Sequence, residues 1–160
     1  MLNYLYVSIF VSFPEVILVL LIGLYLSNIK NIKLCPLLAT SILQTMVAFI
    51  VMTANIGLVY SAIIQIASLY FLVIIFFKIK YDKAIIPVII GLAVQGIIQS
   101  IVLMIIDVFF EVDITSLVEN FKVTILCFLP VLLTSLLLLL VIKNKRFYLK
   151  DIEAERNRKQ

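Results

Sequence analysis

The stretch from Val123 to Ile142 carries no charged residue, and Lys143-Asn144-Lys145-Arg146 closes it abruptly. About 20 apolar residues cross the roughly 30 Å hydrocarbon core of a bilayer as one helix. A basic cluster at the end of such a helix marks the cytoplasmic side. This one boundary therefore orients everything before it. After it comes a tail, Phe147 to Gln160, dense in both signs of charge.

Composition agrees with a membrane chain. Hydrophobic residues make up 64% and charged residues 14%, against about half apolar and a quarter charged in soluble domains. At 160 residues the chain has room for about five spans with short loops, and none for a separate catalytic domain. The net charge of +4 does not point to nucleic acid, because the basic residues sit at span ends, where topology and anionic headgroups explain them. There is no histidine and no CxxC pair, so neither a zinc site nor a disulfide framework is expected. Cys35 and Cys127 read as small buried apolar residues. Met1-Leu2-Asn3-Tyr4 lacks the basic region of a cleavable signal, so the first hydrophobic segment is expected to stay.

The expected fold is an all-α polytopic bundle. Its spans run over about residues 5–26, 34–53, 58–77, 84–106 and 123–142, making a transmembrane unit 1–142 with a charged helical tail, 143–160. Phe13-Pro14-Glu15 falls well inside the first run, so a bend is expected near Pro14. Pro36 and Pro87 read as first-turn prolines of spans two and four, where a missing N–H costs little. The Asn55-Ile56-Gly57 connector forces an antiparallel hairpin between spans two and three. Pro130 lies near the middle of span five, with Thr134 one turn on. With the tail inside, an odd number of spans puts the N-terminus outside. Every basic residue except Lys122 then lies on the cytoplasmic side, as the positive-inside rule requires. Tyr4, Tyr6 and Tyr60 fall at the outer interface, and Tyr25 and Tyr81 at the inner one.

Glu15 is the sharpest candidate for chemistry. A carboxylate deep in a span is costly and faces the bundle or water. It reads either as a ligand contact, proton site or switch, or as a structural hydrogen bond between helices. Gln44, Gln65 (flanked by Ser61 and Ser68 at helical spacing), Gln95 and Gln99 lie at overlapping depth. With Thr134, they form either a pocket open to the outside or interhelical glue. Gly91, Gly96 and Ser100 permit close packing of span four. The loop with Asp107, Glu111, Asp113 and Glu119 lacks the glycine and ligand spacing of a calcium loop and reads as solvated. Nothing assembles a nucleophile with a base, so no enzyme activity, metal or cofactor is expected. In the tail, Glu155 precedes Lys159 by one helical turn, and Glu153 precedes Arg156, spacings that support a helix.

Through Phe13-Pro14-Glu15, Phe128-Leu129-Pro130 and Lys143 to Arg158, the chain resembles the membrane sensor half of bacterial histidine kinases of the peptide quorum-sensing, accessory-gene-regulator type. Those sensors have several spans, short loops, an early intramembrane glutamate, and a last span running into a charged cytoplasmic helix. The resemblance implies a multi-pass protein of the bacterial cytoplasmic membrane. Its partners would be the lipid bilayer and either a second copy or a separate histidine kinase. Glu15 and the glutamines would face a small apolar or peptide signal, Pro14 and Pro130 would act as hinges, and span five would carry the output. The family's phosphoacceptor histidine has no counterpart here, since the chain contains no histidine; the expectation is a sensor half without the kinase. The alternatives are a membrane subunit of a solute transporter and an immunity-type membrane protein.

Reporter fusions after Lys83, after Asp113 and at Gln160 are expected to read inside, outside and inside. An external signal at Gln160 reverses the orientation.

Overall fold

The computed structural model describes residues 2–29, 32–54, 56–110 and 121–145, without the side chains of residues 2, 3, 58, 110, 121, 122 and 145. The acidic loop 111–120, Lys30 and the tail beyond Lys145 lie outside the described residues. The described chain is helical, with no strand among its residues. Its elements are α1 (Leu2–Val7), a π-helical turn (Ser8–Ser12), α2 (Phe13–Leu26), α3 (Leu34–Thr53), α4 (Leu58–Phe77), α5 (Tyr81–Phe110) and α6 (Phe121–Lys145). Five helical stretches are long and apolar enough to cross a membrane: Tyr4–Leu26, Leu34–Thr53, Val59–Phe77, Tyr81–Phe109 and Val123–Asn144. They follow the order of the expected spans.

The first span shows how the chain handles Pro14. Proline lacks an N–H, and its ring presses on the carbonyl four residues back, here that of Phe10. The turn before it is π rather than α: the Phe13 N–H donates to the Ser8 carbonyl, five residues back. Val7 (φ −61°) and Ser12 (φ −67°) stay right-handed helical, so α1, the π turn and α2 make one continuous helix. The irregularity expected as a bend at Pro14 is therefore a widened turn just before it. Such π turns are frequent at functional sites.

Span four differs at both ends from the expected 84–106. It starts at Tyr81, because the Lys80 carbonyl already accepts from the N–H groups of Lys83 and Ala84 (both 2.9 Å). Asp82 in the first turn also suits the positive helix N-terminus. Pro87 consequently lies inside the helix and not in its first turn. At the other end the apolar Val108, Phe109 and Phe110 prolong it. Span five runs as one helix from Phe121 through Pro130 to Lys145, past the expected 123–142 and into the first residues of the expected helical tail.

The first span is the hub of the bundle: α2 packs against α3, α5 and α6. Val19, Leu20 and Leu24 pack with Leu37, Leu69, Val73, Ala84 and Val88. Leu18, Ile22 and Leu26 meet Leu139 and Ile142 of α6, and Val11 meets Phe128 and Val131 near its other end. Two glycines bring the α2 and α5 backbones into contact. A Cβ on Gly23 would strike the Pro87 carbonyl, and one on Gly91 would strike the Val19 carbonyl. Gly91 thus packs as expected. Gly96 and Ser100 do not, for both are exposed; the Ser100 hydroxyl turns back onto the Gly96 carbonyl (2.8 Å). Cys35 is exposed and only Cys127 is buried, since Cys35 opens α3 at its rim.

The pairings Val19–Gly91 and Gly23–Pro87 run α2 antiparallel to α5, and the short connectors at 54–57 and 78–80 reverse the chain between neighbours. Asn28 (φ 57°) and Lys78 (φ 52°) are left-handed just after α2 and α4, a common helix stop. Lys33, Lys78, Lys80, Lys83 and Lys143 consequently gather at one end of the bundle, the lysine end.

Gly91→Ala is expected to lower the melting temperature in mild detergent, through overpacking worth about 1–3 kcal/mol. Gly96→Ala should leave it unchanged or raise it, since nothing lies within 4 Å of an added Cβ and alanine favours a helix by about 1 kcal/mol. Equal melting of the two variants would contradict the α2–α5 contact.

Candidate functional site

Membrane helices gain little from apolar contact with one another, so polar side chains inside the bundle identify its specific joints. The first joins α3 to α4. Buried Gln44 donates through Nε2 to the Gln65 carbonyl (3.0 Å), and its Oε1 accepts from the Ser68 hydroxyl (2.9 Å). Ser68 also reaches the Gln65 carbonyl (3.0 Å). The second joins α5 to α6, where the single proton of the buried Ser135 hydroxyl is shared between Gln95 Oε1 (2.9 Å) and the Val131 carbonyl one turn back (2.8 Å). The Nε2 of Gln95 has no partner among the described residues.

Between α2, α3, α4 and α5 lies a cavity of about 260 Å³. Ser12 and Glu15 enter it from the first span, Gln44 from α3 and Gln65 from α4; Val19, Leu69 and Leu92 are among its apolar walls. The residues it draws from α4 include Ala62 and Ile66, both exposed. Ser12 closes the π turn and Glu15 follows Pro14. One extra residue in a turn rotates what precedes it by roughly 100° relative to a plain helix, so the π turn sets which face α1 shows to its neighbours.

The polar groups of this cavity differ in commitment. Both polar atoms of the Gln44 side chain are engaged in the α3–α4 joint. Glu15, half-buried, has no hydrogen bond or ion pair among the described residues. The hydroxyl of Ser12, which is 8% exposed, and the side-chain amide of Gln65 also have none. One carboxyl, one hydroxyl and one amide therefore face the same space with their bonding capacity open. The lining residues bring no second carboxylate, no base and no cysteine. The open carboxyl, hydroxyl and amide are groups that can hold a ligand.

Of the residues expected to share a site, Glu15, Gln44 and Gln65 do meet. Glu15 faces the cavity, and the interhelical hydrogen bond that is one of its two readings is missing among the described residues. Gln95 belongs to the α5–α6 joint, and half-buried Gln99 does not line the cavity. Thr134 is exposed, its hydroxyl spent on the Pro130 carbonyl (2.8 Å). Sequence reading missed Ser12, although its spacing of three from Glu15 places both on one face of a helix. It also missed Ser135, which lies forty positions from its partner and gives no local signal.

On the other side of the seam between the first span and α3 runs a wider groove, about 610 Å³. Leu5, Ile9, Phe13, Met46 and Phe49 line most of it, and Ser8, buried in the π turn with an unpartnered hydroxyl, also borders it.

Comparison with protein-family models, with curated proteins and with solved structures finds no match.

The two joints predict different costs. Gln44→Leu removes both cross-helix contacts and should destabilise by about 1 kcal/mol. Gln95→Leu removes one contact but also a buried, unpaired N–H group, whose desolvation opposes folding. It should cost less, within about 0.5 kcal/mol of neutral, because the Ser135 hydroxyl keeps its bond to the Val131 carbonyl. Unfolding in mixed detergent measures both, and the reverse order would contradict the assignment of partners.

Proposed function

We propose that this chain is a non-catalytic membrane receiver of the sensor type. It takes a small ligand into the Glu15 cavity and passes the event through the first span to α6. One observation carries the proposal: a carboxyl group near mid-span, without a partner among the described residues, faces a cavity from the helix against which α3, α5 and α6 pack. A structural glutamate would be expected to spend itself on a neighbouring helix, as Gln44 does. An unspent one in hydrocarbon is costly and is kept for function.

The route to an output follows from the packing. Val11, Leu18, Ile22 and Leu26 of the first span touch α6 along most of its length, while Ser12 and Glu15 of the same helix border the cavity. A ligand that draws on Ser12 and Glu15 shifts a helix whose π turn can exchange with an α turn. That shift reaches α6 and its lysine end. On this proposal the lysine end is cytoplasmic, the N-terminus is outside, the membrane is the bacterial cytoplasmic membrane, and Pro14 and Pro130 are the points of bending. The partner at the lysine end is a separate histidine kinase or a second copy. The resemblance to quorum-sensing kinase sensors supports the same assignment.

Host transcript profiles test it. A strain with a flexible glycine–serine segment inserted after Arg146 and a Glu15→Gln strain should share one altered transcript set with the deletion strain, at unchanged protein abundance. A wild-type profile in the insertion strain, with loss only in the Glu15→Gln strain, would replace the sensor by a solute-handling membrane protein.

A further inference from the structure

We infer that the Ser12–Glu15–Gln65 cavity binds a primary ammonium group carried on a short alkyl chain. The inference rests on the receiver reading only for the claim that this cavity is where a ligand enters; the ligand class comes from the cavity itself.

Three features of the cavity define that class. The first is charge. Glu15 is the one charged residue among the described lining residues, and no described lysine or arginine borders the cavity. The described lysines with placed side chains, Lys33, Lys78, Lys80, Lys83 and Lys143, all stand at the lysine end. A carboxylate inside a membrane bundle stays charged at least cost beside an opposite charge, and the described residues supply none at Glu15, so a cationic occupant fits.

The second feature is hydrogen bonding. The Glu15 carboxylate, the Ser12 hydroxyl and the Gln65 amide oxygen can each accept a bond, and none is engaged among the described residues. Ser12 is more than nine-tenths buried and borders the cavity. A primary ammonium brings three N–H donors and no acceptor, one donor for each acceptor. A quaternary ammonium has the charge but no donor, and an alcohol has one donor and no charge.

The third feature is size and wall chemistry. About 260 Å³ falls just below the roughly 300–1,000 Å³ of pockets for drug-sized ligands. Val16, Val19, Ala48, Leu69 and Leu92 offer methyl groups around the polar end. A few methylenes beyond the nitrogen fill that space.

Calorimetric titration of the full chain in lipid nanodiscs, at fixed pH and sodium, tests the inference with n-butylammonium as probe. Saturable binding is expected, at least tenfold tighter than that of tetramethylammonium or n-butanol. Nα-acetyl-lysine amide in a parallel titration distinguishes a side chain of a peptide from a free amine as the source; binding of either supports the ammonium class. Glu15→Gln should weaken n-butylammonium at least tenfold. Ser12→Ala, which keeps the charge, should weaken it several-fold, and it decides the matter should Glu15→Gln fail to fold. Equal binding of n-butanol, undiminished binding by both variants, or no saturable binding of n-butylammonium overturns the inference. These titrations need no output from α6. A chain that binds n-butylammonium yet tolerates the insertion after Arg146 loses the sensor reading and keeps the ligand class. A chain that binds no ammonium but is silenced by the insertion does the reverse.

Discussion

Within hydrocarbon no water is available to satisfy a peptide group, so a spanning backbone must bond to itself throughout. Pro14 breaks that rule near the middle of the first span. The chain answers with one π turn, in which the Phe13 N–H reaches back to Ser8. Much of the arrangement depends on that local solution. The turn lets Leu2 to Leu26 continue as one helix and fixes the rotation of α1 relative to α2. It also stands between the apolar groove bordered by Ser8 and the polar cavity bordered by Ser12 and Glu15. The same helix is the one against which α3, α5 and α6 assemble.

Bundle cohesion and candidate binding are kept on different groups: Gln65 gives its backbone carbonyl to a joint and leaves its side-chain amide to the cavity. Cohesion comes from the α2–α5 backbone contact at Gly23 and Gly91 and from two amide joints, Gln44 with Ser68 and Gln65, and Gln95 with Ser135. Each cross-helix bond in a membrane is worth only about 0.6 kcal/mol on average, so close packing at the glycines carries a large share. Glu15 takes no part in either device. A residue that stabilises nothing visible and is costly where it stands is the natural place to look for a ligand.

Much of this was legible in the sequence. The spans follow from apolar runs ended by lysines, and the gathering of lysines at one end follows from the alternation of helix direction. That Glu15, Gln44 and Gln65 meet follows from their shared depth. Which face each residue takes was not legible. Where nearly every position of a helix is apolar, periodicity does not tell a lipid-facing side from a bundle-facing one, and so Gly96, Ser100 and Thr134 were placed inward wrongly. The π turn depends on the clash between the Pro14 ring and the Phe10 carbonyl, which apolar patterning does not encode. The early start of α5 depends on the Lys80 carbonyl, a backbone group without a sequence signature.

On the proposed reading, occupancy of the Glu15 cavity moves the first span, and α5 held to it by the glycines, relative to α6. Spin labels at Tyr81 and Asn144, both exposed at the lysine end, report that distance directly once Cys35 and Cys127 are replaced. At saturating n-butylammonium the distance distribution should shift in the otherwise native chain and stay fixed in the Glu15→Gln background. An unchanged distribution in the native background, with binding established by titration, would contradict the coupling.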